Sequence, residues 1–195
     1  MPKTIDKFWN FKVLSDSVTE LLLYNEIANA KSRDWYTGEE GEEVTPKQFT
    51  QELNEVATPE ICVRINSGGG NVFAANVIAT RLKESIAEGK KVTCKIDGVC
   101  ASAAVIIALA CENIAIPSSA YMMVHNPMNP LFGLFNANEM RKMADTLDAI
   151  KTGVVNAYVE RTGSFLQYAY RFKLPVSNTL PRYVSSVINL PVLGL

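Results

Sequence analysis

Residues 61–86 read ICVRINSGGGNVFAANVIATRLKESI. Ile61 to Ile65 reads as a strand, and Asn66-Ser67-Gly68-Gly69-Gly70 breaks it. Beyond the break, Val72, Ala75, Ala79, Leu82 and Ile86 recur at steps of three and four, which is one apolar face of a helix. Strand, glycine turn and helix in that order open a βαβ unit. The same alternation recurs downstream, so the chain is read as an α/β protein with a largely parallel sheet.

Working outward, Val18 to Ala28 predicts a strand, and the polar, charged stretch 29–44 predicts a surface loop. Thr45-Pro46-Lys47-Gln48 carries a cap, a first-turn proline and Gln three places after the cap, predicting a helix from Pro46 to about Val56. Val92 to Ile96 reads as a strand, Asp97-Gly98 as a turn, and Ala103 to Cys111 as a helix apolar on all sides and so enclosed by the domain. Two short strands follow at 113–116 and 120–124, then a Pro-rich loop from His125 to Phe135. Asn136 and Glu139 form a capping pair for a long helix. Met140, Met143, Leu147, Ile150, Val154 and Tyr158 line its expected buried face, and Gly163 ends it. From Ser164 the pattern dissolves, with three prolines, no Asp or Glu and no period, so two regions are expected: 1–163 as the domain and 164–195 as a divergent tail.

The 195 residues are 48% hydrophobic and 20% charged, which excludes a disordered chain and gives one full core. Lys and Arg total 19 against 20 Asp and Glu, so no basic field draws nucleic acid or an anionic membrane. The first 14 residues lack the apolar block of a secretory signal, and the mature chain is expected to start as written. The longest uncharged apolar run, Val99 to Cys111, has 13 residues and falls short of the roughly 18 that cross a bilayer. Four cysteines without a CxxC pair, and one histidine, argue against a zinc site and a disulfide framework. Reduced thiols in a cytoplasm fit that usage, and no metal or other cofactor is expected.

Three places carry chemistry. The triple glycine frees backbone N–H groups to face an anion or oxyanion at a helix N-terminus, although it matches neither GxGxxG nor the P-loop. Ser102 stands among small residues at the mouth of the apolar helix, where it is either a presented nucleophile, with the Ala103 N–H able to hold developing negative charge, or a plain N-cap. His125 ends a strand at an Asn-Pro turn, a position for a general base. Cys100 is a rival nucleophile to Ser102.

Taken together, Arg64 to Val72 (RINSGGGNV), Asp97 to Ala103 (DGVCASA) and Met122 to Pro127 (MMVHNP) resemble the ClpP family of self-compartmentalised serine peptidases. The likeness runs from Leu21 to Gly163 and is closest to the phage and prophage ClpP-like head-maturation (prohead) proteases. It implies a ClpP/crotonase-like fold of stacked βαβ-type units. It also implies Ser102 as nucleophile, His125 as general base, and the N–H groups of Gly69 and Ala103 as the oxyanion hole. The partners it implies are a peptide or protein substrate, further copies in a homo-oligomeric ring, and an ATPase unfoldase or phage capsid proteins. Gly68 stands where the family has Pro. The family draws its third triad member from beyond the long helix, yet no acid follows Glu160 here. A tail arising from a frameshift, an altered splice or a gene remnant would account for that, and a weakened peptidase is expected. Asp97, Asp145 and Asp148 are the candidate substitutes. The alternatives are an impaired homologue serving as an assembly component and an acyl-CoA enzyme of the crotonase type.

Overall fold

The computed structural model describes residues 7–33, 40–162 and 186–188, which form two compact units, one running to Met123 and the other beginning at Val124. In the first, β1 (Trp9–Val13) and β2 (Val18–Tyr24) pair antiparallel, and β2, β5 (Glu60–Ser67) and β6 (Lys91–Ala101) then run parallel in the order β1-β2-β5-β6. Both β7 (Asn113–Ala115) and β8 (Tyr121–Val124) pair with β6, also parallel, at its opposite ends. The α/β fold with a mixed, largely parallel sheet is as expected from the sequence.

Parallel strands need crossovers, and the helices supply them. Ahead of β5 lies α1 (Pro46–Asn54), capped by the Thr45 side chain, which accepts from the Gln48 N–H as the Thr-Pro signal predicts. Between β5 and β6 lies α2 (Val72–Ala87), capped by Asn71, whose Oδ1 accepts from Ala74 N at 2.9 Å. After β6 comes α3 (Ala103–Ala110), eight apolar residues of which seven are buried. Enclosure on all sides is what its uniform sequence requires. In β5, Ile61, Cys62, Val63 and Ile65 are all buried, whereas β2 buries only every second residue. The core therefore centres on β5, with β2 and β6 on its flanks, α3 packed against β5 and β6, and α2 packed against α3 and β6.

Three expectations are corrected. The stretch 29–44 is not a plain loop, because β3 (Ala30–Arg33) and β4 (Glu40–Val44) pair antiparallel within it. Its high charge hid a strand pair that lies apart from the main sheet. Asp97-Gly98 is no turn, since β6 continues through it to Ala101. In the second unit, α4 (Ala137–Thr162) opens as predicted, with Asn136 Oδ1 accepting from Asn138 N and Glu139 N while Glu139 Oε2 accepts from Asn136 N at 2.8 Å. Its apolar stripe, however, is buried only at Tyr158; Met143, Leu147, Ile150 and Val154 are half covered and Met140 is exposed. The helix stop at Gly163 and the tail from 164, apart from the short strand β9 (Ser186–Ile188), lie outside the described residues.

Ile65 is wholly buried in the central strand. Ile65→Ala is expected to cost about 2–5 kcal/mol through lost transfer energy and the cavity left behind, read as a lowered urea midpoint at unchanged slope.

Candidate active site

β5 and β6 run in simple register from Glu60↔Lys91 to Ile65↔Ile96, an offset of 31 residues, and then slip, so that Ser67 faces Cys100 at an offset of 33. Asn66 alone therefore stands opposite Asp97, Gly98 and Val99, a bulge in β6. Asn66 Oδ1 fills it by accepting from Val99 N at 3.2 Å. A Cβ on Gly98 would come within 2.9 Å of that same oxygen, which explains a glycine inside a strand.

The slip decides what meets the glycine loop. Continued at the original offset, Gly69 would face Cys100; at the new one it faces Ser102. The contacts agree, since a Cβ on Gly69 would lie 2.6 Å from both Ala101 O and Ser102 Cβ and 2.9 Å from Ala103 N. Gly69 has φ +98, so glycine is needed there for conformation as well as for space.

Ser102 is held at φ 54, ψ −125, one of two non-glycine residues with positive φ among the described residues. Its N–H donates to Met123 O at 2.8 Å, extending the β6–β8 pairing, and its carbonyl accepts from Val105 N at 3.1 Å. Its side chain makes no capping hydrogen bond to α3, so the N-cap reading fails. A residue in that region of backbone space costs on the order of 1–3 kcal/mol and persists where the surroundings enforce it, commonly at active sites. Ala103 is the first residue of α3, so its N–H has no acceptor within its own helix.

Cys100, the rival nucleophile, is fully buried, and burial pushes its thiol well above the ordinary range. Little thiolate forms under such conditions. Cys94 is likewise pushed up, by its hydrogen bond to Cys111 and by burial. All four cysteines are free and buried.

Asp97 is engaged elsewhere. Its carboxylate accepts from Arg64 Nε at 3.1 and 3.0 Å, from Arg64 Nη2, and from the Tyr24 hydroxyl at 2.7 Å. The Arg64 guanidinium holds the Asp97 carboxyl below its usual range, with Tyr24 adding to the effect and burial opposing it. The hydrogen bond to Asp97 in turn raises Tyr24.

The fold thus brings Gly69, Ser102 and Ala103 together in the first unit. His125, half-buried, is two residues beyond Met123 and falls in the second unit, where Asp145 and Asp148 lie exposed on α4. Sequence reasoning missed the segment Asn25–Ile27, which clamps the glycine loop. Ile27 N donates to Gly69 O and Asn71 N to Ile27 O, each at 2.8 Å, while Ser67 Oγ donates to Asn25 O at 2.5 Å. It also gave Asn66 and Ser67 no role beyond the turn, although a serine hydroxyl commonly bonds the backbone two residues on. Among the described residues, no three His, Cys, Asp or Glu side chains gather to hold a metal, and no helix is long and apolar enough to cross a membrane.

A serine of positive φ at a strand-to-helix junction, with glycine backbone against it, is what the fold sets at the end of β6. The Clp protease family model matches residues 25–169, and the chain belongs to that family of serine-type proteases. No curated protein matches the sequence. Among solved structures, a point mutant of ClpP1 from Listeria monocytogenes is similar at a TM-score of 0.57 and 22% identity, over 80% of this chain and 78% of that one.

Because the folded Asp97 carboxyl is depressed, its contribution to stability is present above the unfolded value of about 3.9 and is lost as pH falls through the folded value. The stability advantage of the unaltered chain over Asp97→Asn, measured by urea unfolding, is expected to be constant from pH 7 to 5 and to shrink below about pH 4. A gap that stays constant down to pH 2.5 would contradict the assignment.

Proposed function

We propose that this chain is a serine endopeptidase in which Ser102 is the nucleophile, His125 the general base, and the N–H groups of Gly69 and Ala103 the oxyanion hole. The observation that carries the reading is the backbone of Ser102, at φ 54 and ψ −125 with Gly69 packed against it and no capping role for its side chain. Ser102 Oγ attacks the scissile carbonyl carbon while its proton passes to His125. The carbonyl π bond breaks and its electrons settle on an oxygen facing Gly69 and Ala103. Return of the proton to the departing amine leaves an acyl-enzyme, which water hydrolyses by the same route. No metal or nucleotide enters this chemistry.

His125 is supported as base by the likeness of Met122 to Pro127 (MMVHNP) to the family's segment. The third triad member is unassigned. No Asp or Glu follows Glu160, and Asp97 already serves Arg64 and Tyr24. We therefore propose a weakened peptidase, and the same observation favours a second reading, an impaired homologue kept as an assembly component. The likeness of RINSGGGNV, DGVCASA and MMVHNP to prohead proteases supports maturation of phage capsid proteins as the role, in the cytoplasm of a bacterial or infected cell. We propose residues 1–163 as the peptidase domain and 164–195 as a divergent tail.

Ser102→Ala is expected to abolish turnover of a fluorogenic peptide while leaving the fold intact. Replacing residues 164–195 by an acid-bearing segment of the family is expected to raise turnover by about three orders of magnitude or more, since removing the acid of a serine triad costs roughly 10⁴. Retained activity in Ser102→Ala would reject the mechanism, and equal rates for chain and chimera would reject the impairment.

Clp proteases assemble into rings, and the half-covered stripe on α4 supports the same for this chain. Cyclic symmetry is the expected form. Sedimentation at micromolar concentration should show a multiple of the 21.4 kDa chain mass, and a monomer alone would reject it.

A further inference from the structure

We infer that Ser67 is a positioning residue that fixes the direction of the Gly69 N–H, and so the readiness of the oxyanion hole. The inference rests on the proposed roles of Ser102 and Gly69.

The peptide joining Gly68 to Gly69 lies between two residues without side chains, and a Cβ on Gly68 would meet nothing within 4 Å. Sterics therefore place little restraint on rotation of that peptide plane. The next peptide is held, because the Gly69 carbonyl accepts from Ile27 N at 2.8 Å. What holds the first is Ser67. Its Oγ accepts from Gly69 N at 3.1 Å and donates its own proton to Asn25 O at 2.5 Å. With that proton committed, the hydroxyl presents only lone pairs to Gly69. Ser67 is 2% exposed, so water does not readily take its place. Asn25, whose carbonyl accepts the Ser67 hydroxyl proton, stands at φ 72, in the left-handed region that Asn adopts more readily than most residues.

The Ser67 oxygen is thus a neutral stand-in for the charge that forms on the substrate. It keeps the buried N–H satisfied and aligned in the resting state. A charged oxygen is the stronger acceptor and can share or take that donor when it appears. Without the hydroxyl, the 68–69 peptide is free to turn its N–H away. Substrate binding does not depend on this alignment, but stabilisation of the oxyanion does.

The test is the rate at which an alkyl fluorophosphonate labels Ser102, followed by mass spectrometry and resolved into half-saturating concentration and maximal rate. In Ser67→Ala the maximal rate is expected to fall about tenfold or more, short of the 10²–10³ for loss of a whole donor, with half-saturation unchanged within about twofold. Ser67→Thr, which keeps the oxygen, is expected to recover most of the rate. Ser67→Ala labelled at the unaltered rate, or Ser67→Thr as slow as Ser67→Ala, would overturn the inference while leaving Ser102 as nucleophile. If circular dichroism shows Ser67→Ala unfolded, Ser67→Cys, close in size and a weak acceptor, is judged by the same criteria. No labelling of the unaltered chain would instead overturn the nucleophile assignment, and the inference with it.

Discussion

The two-residue slip between β5 and β6 governs the site. Before it, the strands pair residue for residue; after it, β6 has used three residues where β5 used one. A slip of two preserves the alternation of side chains, so Cys100 stays buried as a strand residue should, and the core is not inverted. What changes is reach. The end of β6 is displaced along the glycine loop until Ser102, rather than Cys100, lies against Gly69. Asn66 maintains the slip by satisfying the Val99 N–H that the bulge would otherwise leave unpaired.

That displacement separates two side chains of similar nucleophilic promise. Cys100 sits within the sheet, wholly desolvated, where its thiolate is disfavoured. Ser102 sits two residues later, at the junction where β6 gives way to α3, with an unusual backbone and a side chain that makes no cap to the helix. Burial marks the cysteine on one side of the junction and backbone strain the serine on the other. The strain is sustained by main-chain bonds on both flanks, to Met123 and from Val105, and by a helix buried along nearly its whole length.

Local signals were legible in the sequence, and contacts between distant segments were not. The strand, glycine turn and α2 followed from periodicity, the enclosure of α3 from its composition, and the starts of α1 and α4 from capping pairs at Thr45 and Asn136. Asp97-Gly98 misled because Asp-Gly is a common turn signal, and its meaning as a bulge depends on Asn66, some thirty residues earlier. The β3–β4 pair was masked by charge, since AKSR and EGEEV carry no apolar alternation. The clamp by Asn25–Ile27 has no periodic signature at all. It is an isolated bridge, Ile27 to Gly70, that exists only once β2 and β5 are paired. On α4 the spacing of apolar residues was read correctly, but spacing alone does not say whether one chain or a second copy covers them.

The position of Asp97 bears on whether it can orient a histidine. A carboxylate that orients a histidine must offer a lone pair and must not already be balanced by a cation. Asp97 accepts from Arg64 through both oxygens and from Tyr24 through one, which uses most of its acceptor capacity. Arg64 also reaches Glu20 at 3.5 Å, so the four side chains form one network across β2, β5 and β6. Turning Asp97 toward a histidine would leave Arg64 with that longer pairing alone and deprive Tyr24 of its acceptor. The low proton affinity that the network gives Asp97 makes it a poor stabiliser of imidazolium, because its charge is already spent on a guanidinium. The carboxylate nearest Ser102 in sequence is thus a structural tie across the sheet at the bulge.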